Sequence, residues 1–326
     1  MKAIVQDRYG PADVLALRDT QRPAAGPGRV LVEVRAAGVD PGVWIFMTGR
    51  PYLVRMAIGL RRPAPAVRGR DLAGVVAAVG AGVTGFEPGD EVYGCGESGS
   101  YAEFAVARAD RLAPKPANLT FVQAAAVPVS AMTALRAVRD AGEVHEGQRV
   151  LVIGAGGGVG SFAVQLAKAR GAHVTGVCSG AKAALVRGLG ADDVVDHTRE
   201  RFDRGPTRYD VIIETAGDHA LTALRRALTP RGTLAIVGGS YDRGGLLGGF
   251  SRQMFRAPLV SLFVGQRLRT VSAREDAADL RELTALIEAG AVTPAVERTY
   301  PLADTPAALR ALTAARRPAG KLVVTL

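Results

Sequence analysis

With 326 residues, 48% of them hydrophobic, the chain has the length and apolar mass for two ordinary domains, each with its own core. Its net charge of +10 is spread through loops and helices without a basic block or interleaved aromatics, which argues against nucleic-acid binding and leaves a general attraction for anionic ligands. No apolar run is long enough to span a bilayer, MKAIVQD does not read as a signal peptide, and the two distant cysteines, Cys95 and Cys178, suit free thiols in a reducing, cytoplasmic setting.

In chain order, residues 2–5 (KAIV) and 30–36 (VLVEVRA) read as strands on either side of the turn-rich RPAAGPG. Residues 67–95 carry short β-branched runs broken by Gly and Pro, the pattern of a small, twisted, partly closed β domain, and YAEFAVAR at 101–108 adds a strand. Residues 121–140 switch to helical spacing. From 149 strands alternate with helices: strands at 150–153, 173–177, 193–195, 210–213, 233–237 and 258–263, helices near 160–170, 181–188 and 219–228. This βαβ alternation predicts a doubly wound parallel sheet of about six strands. An amphipathic helix at 274–289, a strand at 295–300, a short helix at 304–314 and a strand at 320–326 follow, and these last strands are expected to rejoin the β domain.

The stretch RVLVIGAGGGVGSFAVQLAK at 149–168 puts a buried-type strand, a glycine turn and a helix in the order a dinucleotide fingerprint requires. Ala155 occupies the first glycine position of G-x-G-x-x-G, with Gly157 and Gly160 in phase and Gly154 beside it. Gly154, Gly157, Gly158, Val159 and Gly160 are therefore the candidate pyrophosphate cradle, backed by the helix N-terminus. NAD-preferring sites place an acidic residue about 20 positions on, at the ribose 2′-OH. Here that position is Ser179, with Lys182 next to it, so nothing at it repels a 2′-phosphate and NADPH is the expected cofactor.

AAGVDPGVW at 36–44, GRDLAGVVAAVGAGVTGFEPGDEVYG at 69–94 and AAAVPVSAMTAL at 124–135, together with the glycine turn, resemble the medium-chain dehydrogenase/reductase superfamily over essentially the whole chain, and most nearly its zinc-independent quinone oxidoreductase-like subgroup. The resemblance implies an α/β fold with a GroES-like catalytic domain at 1–122, to which 293–326 returns, and a Rossmann NADP-binding domain at 123–292. Zinc-dependent relatives carry ligands where this chain has Asp40, Arg70 and Val129, and they carry a four-cysteine lobe that this chain lacks. A carboxylate beside a guanidinium does not make a zinc site, so no metal is expected. Asp40 and Arg70 then have two readings: an ion pair tying two loops together, with Arg70 polarising a substrate oxygen, or separate bonds to backbone.

The resemblance further implies cofactor contacts from Thr133, from His197, for which a solvated surface histidine is the alternative, from the turns around Ala216 and Gly238, from Phe263 and Val264 after the sixth strand, and from Lys321, for which a solvated strand-edge lysine is the alternative. Without a metal the chemistry expected is hydride transfer from NADPH to a quinone or to the activated C=C of an α,β-unsaturated carbonyl. A substrate pocket is expected in a cleft between domains, with Trp44, Phe46, Met56, Phe250 and Phe255 as walls and Tyr52 as the proton donor or carbonyl partner. The glycines of 241–256 make that segment a candidate flap. Two rival readings stay open: an enoyl-thioester reductase, with Arg50, Arg55, Arg61 and Arg62 meeting carrier phosphates, and a non-catalytic NADPH-binding sensor. The partner expected is a small molecule, with no nucleic acid and no membrane. Family members often form homodimers through the nucleotide domain's edge.

Overall fold

The computed structural model describes residues 1–217, 219–238, 256–272, 274–314 and 317–326, with backbone only for Leu53 and Ala57. The chain divides into two compact units, Met1–Met132 with Glu275–Gly290 and Pro294–Leu326, and Thr133–Arg274 with Ala291–Thr293.

The first unit is built on the long strand Arg29–Val39, whose inward residues Val30, Val32, Val34, Ala37 and Val39 are buried. It has room for two partners on one side: Phe104–Arg108 pairs with its first half and Lys321–Thr325 with its last residues, both antiparallel. Asp71–Val79 pairs along its other side and continues to Glu91–Cys95 and Leu112–Pro114, while Val296–Pro301 extends the sheet beyond Lys321–Thr325. The C-terminal strands thus rejoin the N-terminal sheet as the sequence implies. A separate hairpin pairs Lys2–Gln6 with Leu15–Asp19. The helix Ala277–Glu288 belongs to this unit rather than to the nucleotide-type domain in which the sequence reading places it. The Tyr93 hydroxyl donates to Leu280 O at 2.7 Å, with Thr284 Oγ1 at 3.0 Å, and Asn118 donates to Ile287 O. The expected helix 121–140 is three pieces, Phe121–Ala125, Pro128–Arg136 and a wider turn at Ala137–Ala141, because Pro128 cannot donate to the preceding turn.

The second unit holds six parallel strands in the order Asp193–Asp196, His173–Cys178, Arg149–Ile153, Tyr209–Glu214, Leu228–Ile236 and Arg267–Thr270. The direction of strand addition reverses between Arg149–Ile153 and Tyr209–Glu214, so their carboxyl ends open the crevice where doubly wound sheets bind ligands. One strand differs from expectation. Residues 256–261 are helical, and the sixth strand is Arg267–Thr270. No helix among the described residues is long and apolar enough to cross a membrane.

Both cysteines are buried, and desolvation holds both thiols above their ordinary pKa. Neither should react with Ellman's reagent in the native protein, and both should react at once after unfolding in guanidinium. Rapid native labelling of Cys95 would contradict this packing.

Candidate functional site

The glycine turn is fixed by backbone geometry. Gly154 has φ +81°, a left-handed conformation that favours glycine, and its N–H and that of Ala155 both donate to Val177 O at 3.0 Å. Gly157 is the N-cap of helix Gly158–Ala169 and offers no side-chain cap, so the first-turn N–H groups are left to an outside acceptor. A Cβ at Gly160 would drive into Gly154 O, which explains why helix and strand approach so closely only with glycine there. A Cβ at Gly156 would meet the Lys182 stem at 2.7 Å, so that stem lies directly over the turn. These features fit a dinucleotide pyrophosphate.

The next corner is formed by the carboxyl ends of His173–Cys178 and Asp193–Asp196, where Asp196 pairs with Cys178. It gathers Ser179, Lys182 and His197, the last exposed and bonded through its N–H to Cys178 O at 3.1 Å. It also contains a residue the sequence count along a single strand misses. The Asp196 carboxylate accepts from Thr198 N (3.0 Å), from Thr198 Oγ1 (2.8 Å) and from Gly180 N, bonds that hold its pKa below the ordinary range. Arg199 stands 3.7 Å from it.

Across the switch point, Glu214 organises the turn that carries Ala216. Its carboxylate is fully buried and accepts from Ala216 N (2.8 Å) and Gly217 N (2.6 Å), with His219 Nδ1 at 3.0 Å. Thr215 Oγ1 donates to Ile153 O at 2.7 Å, tying this turn to the strand that feeds the glycine turn. Gly238 abuts it, since a Cβ there would strike Thr215 O. The sequence reading places Ala216 and Gly238 here but gives Glu214 no part. Thr133 is half-buried on helix Pro128–Arg136.

Phe263 and Val264 need correction. They precede strand Arg267–Thr270 and therefore sit at its amino end, opposite to the crevice. Phe263 is 86% exposed, and Val264 helps line a polar surface pocket with Arg225, Arg226 and Gln266. Val271, whose N–H donates to Ile236 O at 2.9 Å, takes the place after the strand that they were expected to fill. Phe250 and Phe255, with nearly all of the candidate flap 241–256, lie outside the described residues.

In the first unit, Asp40 and Arg70 do not pair. Asp40 is the N-cap of helix Pro41–Thr48, where Oδ1 accepts from Gly42 N at 2.7 Å and Oδ2 is buried without a hydrogen-bond partner among the described residues. Arg70 instead binds Glu275, which also holds Arg111 at 2.8 Å. Glu275 lies just ahead of helix Ala277–Glu288, so Arg70 anchors that helix, and no short-range pattern in the sequence signals the pairing. Phe46 lies beneath the Arg70 guanidinium, 5.6 Å from ring centre to Cζ. Trp44 packs on the unit's core, whereas Met56 is 74% exposed. Tyr52 is half-exposed, with Arg55 4.8 Å from its ring centroid.

Lys321 is not a solvated edge lysine. It is buried within the sheet, and Nζ lies 3.1 Å from Asp71 Oδ2 and 3.0 Å from Ser130 Oγ, while Asp71 Oδ1 accepts from Val129 N at 3.0 Å. Burial pushes the Asp71 carboxyl above the ordinary range, against the pull of the Lys321 ammonium. The set Asp40, Arg70 and Val129 supplies one carboxylate and no thiolate or imidazole, a donor set that does not fit zinc.

Two family models match the chain: an alcohol dehydrogenase GroES-like domain over residues 26–117 and a zinc-binding dehydrogenase over residues 189–324. The mouse protein named NAD(P)H oxidoreductase RTN4IP1, mitochondrial, is 33% identical, with 94% of this chain and 85% of that protein covered. The Arabidopsis thaliana NADPH-dependent alkenal/one oxidoreductase, chloroplastic, is 36% identical, with 74% of this chain and 67% of that protein covered. Among solved structures, the quinone oxidoreductase from Coxiella burnetii superposes with a TM-score of 0.83 at 28% identity, covering 100% of this chain and 99% of that one.

Removing one member of a buried ion pair leaves an uncompensated charge. Lys321→Met should therefore destabilise the protein by about 3–5 kcal/mol in denaturant unfolding. Adding Asp71→Asn should recover much of the loss. A single variant as stable as the parent would show that the pair is not formed.

Proposed function

The chain belongs to the medium-chain dehydrogenase/reductase superfamily, in its quinone oxidoreductase-like branch, and we propose that it is an NADPH-dependent, metal-independent reductase of quinones or of the activated C=C of α,β-unsaturated carbonyls. One observation carries the metal-free reading. The residues at the positions of the zinc ligands are engaged inside the protein, Asp40 as a helix cap and Arg70 on Glu275, and Val129 has no ligating side chain. The substrate class is supported by the names of the quinone and alkenal/one relatives.

When bound, a reduced nicotinamide supplies the hydride. The chain's own part is binding and orientation. First-turn N–H groups at Gly158, Val159 and Gly160 meet the pyrophosphate, and the turns at Ala216 and Gly238 border the nicotinamide half. Ser179 and Lys182 receive the 2′-phosphate, with His197 and Arg199 at the rim. Asp196, ionised and held by Thr198 and Gly180, has its charge partly offset by Arg199 3.7 Å away. Tyr52, half-exposed and with no hydrogen bond to its hydroxyl among the described residues, is the residue we assign to the substrate carbonyl and to proton delivery. Two buried free thiols suit a reducing compartment, and we place the protein in the cytoplasm.

Two steady-state experiments test this reading. A charged hydrogen bond is worth about 1.5–3 kcal/mol, so Lys182→Ala should raise KM for NADPH roughly tenfold or more and leave KM for NADH nearly unchanged. Equal effects on both cofactors would remove Lys182 from the 2′-phosphate site. With an enone as acceptor, Tyr52→Phe should lower kcat by about a hundredfold if Tyr52 is the acid. Undiminished turnover would assign the proton to solvent.

A further inference from the structure

Arg68 has a setting unlike that of the paired arginines. Val67 forms an isolated antiparallel bridge with Val5, which puts Arg68 opposite Ile4 and Gln6 opposite Ala66. Alternate residues of paired extended segments project to one face, so the Gln6 and Arg68 side chains leave the same side. Both are buried, Gln6 at 1% and Arg68 at 4% exposure. The Gln6 amide nitrogen donates to Arg8 O at 2.8 Å and Met47 O at 2.6 Å, which fixes the amide and turns its oxygen away from them. Among the described residues that oxygen has no hydrogen-bond partner, and neither do Nε and Nη2 of Arg68. Nε and Nη2 form one edge of the guanidinium, whose two parallel N–H bonds match two oxygens of a carboxylate-type anion. The titratable group acting on this guanidinium is the Tyr9 phenol, and burial draws its pKa down to about 10, so it stays charged at neutral pH. A buried cation without a counter-charge is strongly destabilising.

We propose that Arg68 and Gln6 form a binding site for a small planar oxyanion bearing a proton, of the bicarbonate class. Two of its oxygens accept from Arg68 Nε and Nη2, and its hydroxyl donates to Gln6 Oε1. The site lies behind the segment that carries Tyr52. Gln6 holds Met47 O, the Tyr9 hydroxyl donates to Gly59 O at 2.5 Å, and Arg55 lies 4.3 Å from the Tyr9 ring centroid while donating to Gly49 O. Occupancy engages the remaining polar atom of Gln6, the residue that already holds Met47 O just ahead of the Tyr52 segment.

Thermal unfolding in a sodium bicarbonate series tests the site, with ionic strength held constant by sodium gluconate, whose anion is too large for a buried position. The midpoint should rise by about 2 °C per tenfold bicarbonate above half-saturation. Nitrate, planar but without a proton to donate, should give a smaller rise. Arg68→Met should abolish the bicarbonate dependence without lowering the midpoint in gluconate alone. A flat wild-type response, or the same slope in Arg68→Met, overturns the proposal. Should that variant fail to fold, a crystal structure of the wild-type protein grown with bicarbonate decides. A planar anion across Nε and Nη2 supports the site, and a water or a direct Gln6 contact there overturns it.

Discussion

Asp71 and Lys321 lie 250 residues apart and meet in the dry interior of the first unit. Taking both charges out of water is unfavourable, and the arrangement holds only because every strong donor and acceptor finds a partner. Lys321 Nζ reaches Asp71 and Ser130, and the second Asp71 oxygen takes the Val129 N–H. The pair thereby joins three segments: strand Asp71–Val79, helix Pro128–Arg136 and the C-terminal strand Lys321–Thr325. It also decides what the neighbouring positions can be. Asp71, committed to Lys321, and Arg70, committed to Glu275, are internal fastenings of the β unit.

The second unit obeys a different constraint, that of backbone approach. Gly154, Gly157 and Gly160 clear a path along which main-chain donors alone face outward, and the Lys182 stem covers the turn. Glu214 does for the opposite turn what glycine does for this one. It holds two N–H groups of 216–217 in fixed directions from a fully buried position. The corner of Ser179, Lys182 and His197 is where we propose that charge selection takes place. There Asp196 fixes the geometry through its hydrogen bonds, with Arg199 3.7 Å from its charge.

Local signals made much of this readable from the chain. The buried runs Val150–Ile153 and Val211–Ile213 are uninterruptedly apolar, and the glycine turn announces itself between strand and helix. The sixth strand shows where such signals fail. PLVSLF at 258–263 has the composition of a strand but lies in and just after a helix, whereas Arg267–Thr270, reading RLRT, is an edge strand that buries only Leu268 and so carries charge. That error moved Phe263 and Val264 to the wrong end of the sheet. Arg70–Glu275 and Asp71–Lys321 are tertiary facts, and the Glu214 turn lock is a local one. Their partners lie 205, 250 and two to five residues away, and composition or periodicity marks none of them.

The central claim is conjugate hydride delivery without a metal. Its most direct measurement is the fate of deuterium from C4-deuterated NADPH, using enzyme dialysed against a strong chelator and an α,β-unsaturated ketone as acceptor. The account predicts a saturated ketone with deuterium on the β-carbon, formed at an undiminished rate. An allylic alcohol with deuterium on the former carbonyl carbon, or activity that disappears with the chelator and returns with zinc, would contradict it.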